Sequence, residues 1–312
     1  MLDNKELREV YVDELIRLGK ENENILVFEA DLAAAHKTKK FQSVYPERFF
    51  DVGIAESNMI GVAAGMASYG KIPFCASFGT FTSRRCYDQV FISVAYARQN
   101  VKIVGSDPGI AAELNGGTHM PFEDMGLMRN VPTMLCVEPT DQVQFEALMP
   151  QIVAHKGPVY IRLFRKNCEK VYNEGEVFDI YKAKTISEGT DCNILASGIE
   201  VSKALQASEI LKAKGLNVGV TNTATWKPLD NEKVLELAKL SGCLVTCENH
   251  SVINGLGSAV SGYLIENYPI PVQMVGVRDK FGEVGKMDYL EKAFHLAVED
   301  IVDAVEKAIK RK

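Results

Sequence analysis

Along the whole chain, short runs rich in β-branched and aromatic residues alternate with segments of helical periodicity. The runs ILVF at 25, FFDV at 49, IPFCAS at 72, VKIVG at 101, TMLCV at 133 and VYIRLF at 159 are separated by helical patterns over 4–20, 55–69, 80–98 and 141–155. Apolar runs of this kind suit strands buried on both faces, and the helices between them supply the crossovers that parallel strands require. The rhythm therefore predicts an α/β fold, a mostly parallel sheet with helices on both faces. Charges and glycines interrupt it between Cys168 and Gly189, after which NILAS, NVGVTN, CLVTCE and PVQMVG alternate with helices near 199–214, 230–241, 255–267 and 297–310. Two α/β domains are expected, at 1–175 and 190–312, joined by a linker over 176–189 that has room for one hairpin. With 312 residues, the chain is long enough for both.

Charge and cysteine usage narrow the partners. The formal net charge is -6 and the basic residues are interspersed with acidic ones, which disfavours nucleic acid or a membrane surface and leaves small molecules or another protein. No apolar run reaches the roughly 18 residues needed to cross a bilayer. The first residues, MLDNKELREVYVDEL, are charged and amphipathic instead of signal-like. Seven cysteines, an odd and scattered set, suit a reducing cytoplasm and buried thiols better than a disulfide framework.

Several catalytic signatures are missing: GxGxxG after a strand, GxxxxGK[ST], HExxH and GxSxG. Three segments carry the remaining signal. In FFDVGIAESNMIGVAAGMA a lone glutamate, Glu56, stands where an apolar strand turns into a helix of Gly, Ala and Met. A helix with so little side chain packs closely against a neighbour, so a glutamate at its head would be partly desolvated, the environment in which a carboxyl group shares a proton near neutral pH. In SFGTFTSRR, Phe78 and Phe81 follow the next strand at the carboxyl edge of the sheet, where α/β ligand sites open, and could stack on a flat ring. The third segment, GSDPGIAAELNGGTHMPFEDM, is a polar, glycine-rich loop presenting Asp107, Glu113, Asn115 and His119, with Gly109, Gly116 and Gly117 pointing to special backbone angles.

Together these segments resemble the C-terminal portion of transketolases, a pyrimidine-binding domain followed by a small C-terminal domain, over nearly the whole length. GIAESNMIGVAAGMA is similar to the family's glutamate helix, SFGTFTSRRCYDQV to its aromatic segment and NGGTHMPFEDMGLMR to its histidine loop. NTATWKPLD and VTCENHSVINGLGSAV also resemble deoxyxylulose-phosphate synthases and pyruvate dehydrogenase beta subunits. The resemblance implies thiamine diphosphate bound between two chains. Glu56 would hydrogen-bond its aminopyrimidine and share a proton with it, Phe81 would stack on the ring, Phe78 would wall the pocket, and Asp31 would lie near the cofactor. His119 would contact the donor substrate's carbonyl or hydroxyl region. The family's GDG motif, which with a later asparagine holds the diphosphate and its Mg2+ or Ca2+, does not occur here. The implied protein is thus one subunit of a split transketolase that needs an N-terminal partner carrying GDG, in an α2β2 heterotetramer.

Departures from the pattern bear on the substrate. Arg8 and Arg165 match the two arginines that grip a sugar phosphate, but the serine position reads Ala35 and the phosphate histidine reads Asp107. Asn115 replaces an aspartate that reads a substrate hydroxyl, and Arg84, expected at the cofactor, replaces a tyrosine as in deoxyxylulose-phosphate synthases and could supply the positive charge missing from the substrate's anion site. Two-carbon ketol transfer is expected, from a ketose bearing a phosphate or another anion such as a sulfonate, with pentose phosphates no longer the assured substrates. A synthase-like or 2-oxoacid-dehydrogenase-like subunit using the same cofactor, or a non-catalytic regulatory partner, are the alternatives.

Overall fold

A computed structural model describes residues 2–312. The chain forms two compact units: one runs to Pro108 and resumes over Leu127–Val177, and the other comprises Gly109–Gly126 with Phe178–Lys312.

In the first unit, α1 (Leu7–Glu21) leads into β1 (Ile25–Glu29), α2 (Lys39–Val44) and β2 (Phe49–Asp51). Then come α3 (Glu56–Ser68), β3 (Ile72–Phe78), α4 (Gly79–Ser83), a π-helical stretch over Gln89–Tyr96 and β4 (Lys102–Ser106). The chain rejoins this unit at Leu127, within α5 (Asp124–Asn130), and β5 (Leu135–Val137), α6 (Gln142–Ala154) and β6 (Val159–Leu163) follow. The strands lie in the order β5-β6-β4-β3-β1-β2 and every pairing among them is parallel. Strands β1, β4 and β6 are buried at every position, the burial that their largely apolar runs anticipate, and Glu29, Lys102 and Arg162 are buried with them. Asp141 caps α6 by accepting from Gln144 N at 2.9 Å, and its other oxygen accepts from Val171 N and Tyr172 N.

One expected helix, 80–98, is broken. Side chains of its first turns compete for the carbonyls that would continue the α ladder: Thr82 Oγ1 donates to Phe78 O, and Cys86 Sγ to Phe81 O and Thr82 O. The helix stops after Ser83 and restarts with the wider π spacing, a pattern that recurs at functional sites.

The second unit holds β7 (Lys184–Ser187), β8 (Cys192–Ala196), α7 (Glu200–Ala213), β9 (Val218–Asn222), β10 (Thr225–Lys227) and α8 (Asn231–Ser241). It continues through β11 (Leu244–Ser251), α9 (Leu256–Asn267), β12 (Val272–Val277), α10 (Met287–Ala293) and α11 (Val298–Lys310). Its sheet has the order β12-β11-β8-β9-β7, parallel except for β7, which runs antiparallel to β9. Strand β7 falls inside the stretch expected to be a linker.

The segment 109–126 also differs from expectation, since it packs with the second unit instead of the first domain. The Asn249 side chain accepts from Ile110 N at 2.9 Å, Gly126 N donates to His250 Nε2 at 3.1 Å, and Phe122 meets Phe294 with ring centroids 5.1 Å apart. Gly109 and Gly116 adopt positive φ, as their loop position suggested. Gly117 is needed for a different reason: a Cβ there would lie 2.3 Å from Gly282 O. All seven cysteines are buried and unbridged.

Candidate functional site

The carboxyl edge of the first sheet carries most of the residues singled out by sequence. Gly53, at φ 71°, turns the chain after β2, and α3 then begins at Glu56. The Glu56 side chain is only 1% exposed. Ser77 Oγ donates to its Oε1 at 3.4 Å and Arg85 Nη1 donates to its Oε2 at 2.7 Å. The Arg85 guanidinium lies over the Phe81 ring, 4.1 Å from its centroid. Phe81 meets Phe78 at 5.9 Å in a tilted pair. Burial and the nearby Glu56 charge push the Cys86 thiol up to about 12, which keeps it protonated at neutral pH.

Phe78, the last residue of β3, is boxed on two sides. The Arg165 guanidinium carbon sits 5.2 Å from its ring centroid, and the His36 imidazole approaches edge-on at 6.3 Å. Arg165 Nε donates to Asp107 Oδ1 at 2.6 Å. Asp107 follows β4 at φ 55°, almost wholly buried, and its Oδ2 has no hydrogen-bond partner among the described residues. The other candidate anion-binding arginine is likewise engaged by a carboxylate: Arg8 donates from Nε and Nη2 to Glu6 at 2.8 and 3.1 Å, and from Nη1 to Ala35 O at 2.8 Å. Hydrogen bonds from Arg8, with help from Lys37, hold the Glu6 carboxyl down to about 2. Asp31 is exposed at φ 62°, its N–H donating to Asp51.

Glu56, Phe78, Phe81, Asp107 and Arg165 thus form one continuous chain of contacts through Arg85. The adjacent arginines Arg84 and Arg85 are both exposed, and Arg85 reaches Glu56. Asn115 and His119 are carried by the second unit, where His119 Nδ1 bonds Thr118 Oγ1 at 2.8 Å. Sequence reading also passed over a fully buried network: His36 Nδ1 meets Glu29 at 2.9 Å, His36 Nε2 meets Ser106 Oγ at 2.8 Å, and Thr38 Oγ1 donates to Glu29 at 2.7 Å. The only signal for it was a glutamate in an otherwise apolar strand.

The Phe81 ring face and the Glu56 carboxylate together suit a flat ring. A planar cation already rests on Phe81 and donates an N–H to Glu56, so the donor set and shape accept a planar group with polar hydrogens on its edge.

Residues 3–170 match the family model for the transketolase pyrimidine binding domain, and residues 181–301 the model for the transketolase C-terminal domain. The chain is 52% identical over 311 residues to the 6-deoxy-6-sulfo-D-fructose transketolase subunit SqwH of Clostridium sp. (strain MSTE9), covering 100% of this chain and 97% of that one. It is 34% identical over 274 residues to one of the subunits of the apulose-4-phosphate transketolase of Phocaeicola vulgatus, covering 88% of each. Among solved structures it is similar to a split-gene transketolase described as an inactive beta4 tetramer, at 41% identity and a TM-score of 0.91, over 99% of this chain and 100% of that one.

Proposed function

The chain belongs to the transketolase family, and we propose that it is the C-terminal subunit of a split, thiamine diphosphate-dependent transketolase that moves a two-carbon ketol unit from an anion-bearing ketose to an aldose. The observation that carries this reading is the buried Glu56, set at the head of α3 and joined to the Phe81 ring face through Arg85.

When bound, thiamine diphosphate supplies the nucleophilic carbon that takes up the two-carbon unit. Glu56 would hold the pyrimidine ring and exchange a proton with its nitrogen, in a recess dry enough for that hydrogen bond to be strong. Phe81 would support the ring, Phe78 would wall the pocket, and Asp31 and Arg84 would lie near the cofactor. His119 and Asn115 would read the sugar's hydroxyl or carbonyl groups. An N-terminal subunit with the GDG motif would bind the diphosphate and its Mg2+ or Ca2+, completing an α2β2 enzyme in the cytoplasm. Among the described residues no helix is long and apolar enough to cross a membrane.

Isothermal calorimetry checks the division of labour. The purified chain with Mg2+ is expected to bind thiamine diphosphate negligibly and the reconstituted pair tightly; tight binding by the chain alone would refute the split site.

Arg8 and Arg165 would contact the substrate's anion, and each already carries a carboxylate, Glu6 and Asp107. A fixed negative charge repels a phosphate dianion about twice as strongly as a sulfonate monoanion at the same distance. This favours a sulfonated ketose such as 6-deoxy-6-sulfo-D-fructose, the sugar in the name of the Clostridium relative. In a panel of ketose donors and aldehyde acceptors, kcat/KM for the sulfonated donor should exceed that for xylulose 5-phosphate by roughly tenfold or more. Equal or better rates with xylulose 5-phosphate and ribose 5-phosphate would remove the altered specificity.

A further inference from the structure

We infer that Arg85 is an internal stand-in for the coenzyme's ring: in the unloaded subunit its guanidinium occupies the Phe81–Glu56 recess, and it must swing out before the ring can enter. The inference rests on the reading of Glu56 and Phe81 as the ring site. Its own support is geometric. The guanidinium is flat, lies 4.1 Å from the Phe81 centroid and donates to Glu56 at 2.7 Å, so it uses both contacts that a stacked, N–H-bearing heterocycle would use. Two planar groups cannot cover one face of a phenyl ring while donating to the same carboxylate oxygen.

The surroundings fit a movable plug. Arg85 is 44% exposed although its carboxylate partner is 1% exposed, so the arginine side chain lies on the solvent side of the pair and has solvent to move into. It lies between α4, which ends at Ser83, and the π-helical stretch that begins at Gln89, outside any regular helix. Its backbone is tied to the glutamate helix, since Ser57 Oγ donates to Arg85 O at 3.0 Å, so opening requires only side-chain rotation. The contact also has a purpose before assembly. A buried carboxylate without a counter-charge is strongly destabilising, and Arg85 supplies that charge while no ring is present. Coenzyme binding must then displace the plug, which lowers the apparent affinity by the fraction of molecules that are open.

The test is thiamine diphosphate affinity of the reconstituted pair with Mg2+, alongside thermal unfolding of the isolated chain. Arg85→Ala should tighten the apparent Kd by roughly tenfold and lower the melting temperature of the isolated chain. Arg85→Lys, which keeps the charge but not the plane, should fall between wild type and Arg85→Ala in affinity and preserves a testable protein if the alanine variant folds poorly. Weaker or unchanged coenzyme binding in both variants would overturn the inference, the first by making Arg85 a ligand of the coenzyme and the second by making it a bystander. Failure of the underlying reading has a separate signature: Glu56→Gln would then remain active, whatever Arg85 does.

Discussion

Glu56→Gln is expected to lower ketol transfer by the reconstituted enzyme by about 10²- to 10⁴-fold, the range that positioned proton exchange contributes. Glutamine has the same shape and still offers an acceptor oxygen, so the ring could be held in place. What it cannot do is give and take a proton. Because Arg85 donates to one oxygen of the buried Glu56 carboxylate and Ser77 to the other, a glutamine whose amide oxygen takes the Arg85 side keeps that hydrogen bond, while its NH2 can donate to the Ser77 hydroxyl instead, so the change should leave the fold and subunit assembly intact. Steady-state kcat, read together with size-exclusion chromatography of the complex, separates the two effects. Turnover within a few-fold of wild type would remove Glu56 from the chemistry and revive the regulatory reading.

His36→Leu should produce the largest loss of stability, about 2–4 kcal/mol in denaturant unfolding, because it strips a hydrogen-bond partner from a fully buried carboxylate and another from a buried hydroxyl. The imidazole spans from the end of β1 to Ser106 at the end of β4, over the end of β3 that lies between them, where Phe78 sits. Thr38→Val, which removes one neutral donor to Glu29, is expected to cost about 1 kcal/mol and serves as the comparison. Equal losses from the two variants would deny His36 its bridging role.

How far these features could be read from sequence depended on whether their cause was local. The parallel sheets were legible because strands such as Ile25–Glu29 and Val159–Leu163 are buried on both faces and so are mostly apolar, Glu29 and Arg162 excepted. Glu56 was legible because a carboxylate at the head of a Gly- and Ala-rich helix conflicts with its surroundings. Arg85 was not. The resemblance pointed to Arg84, and an unbroken helix over 80–98 gives no reason to expect Arg85 at Glu56; its position follows the break after Ser83, where Thr82 and Cys86 capture carbonyls. The allegiance of 109–126 was equally hidden, because its partners Asn249, His250 and Phe294 lie more than a hundred residues further along. The Glu29–His36–Ser106 network draws on three separate elements, a conjunction that no local pattern announces.

Helix α3 has one more consequence. A β-carbon built at Gly61 or Gly65 would meet no atom within 4 Å, and neighbouring Val62 is 42% exposed. Glycine inside a helix costs about 1 kcal/mol relative to alanine, so the lone subunit would be steadier with a methyl group at either place. These bare positions are therefore natural sites for a small chemical label: the free subunit should tolerate one in silence, and any signal that changes on mixing would report what comes to rest against that surface.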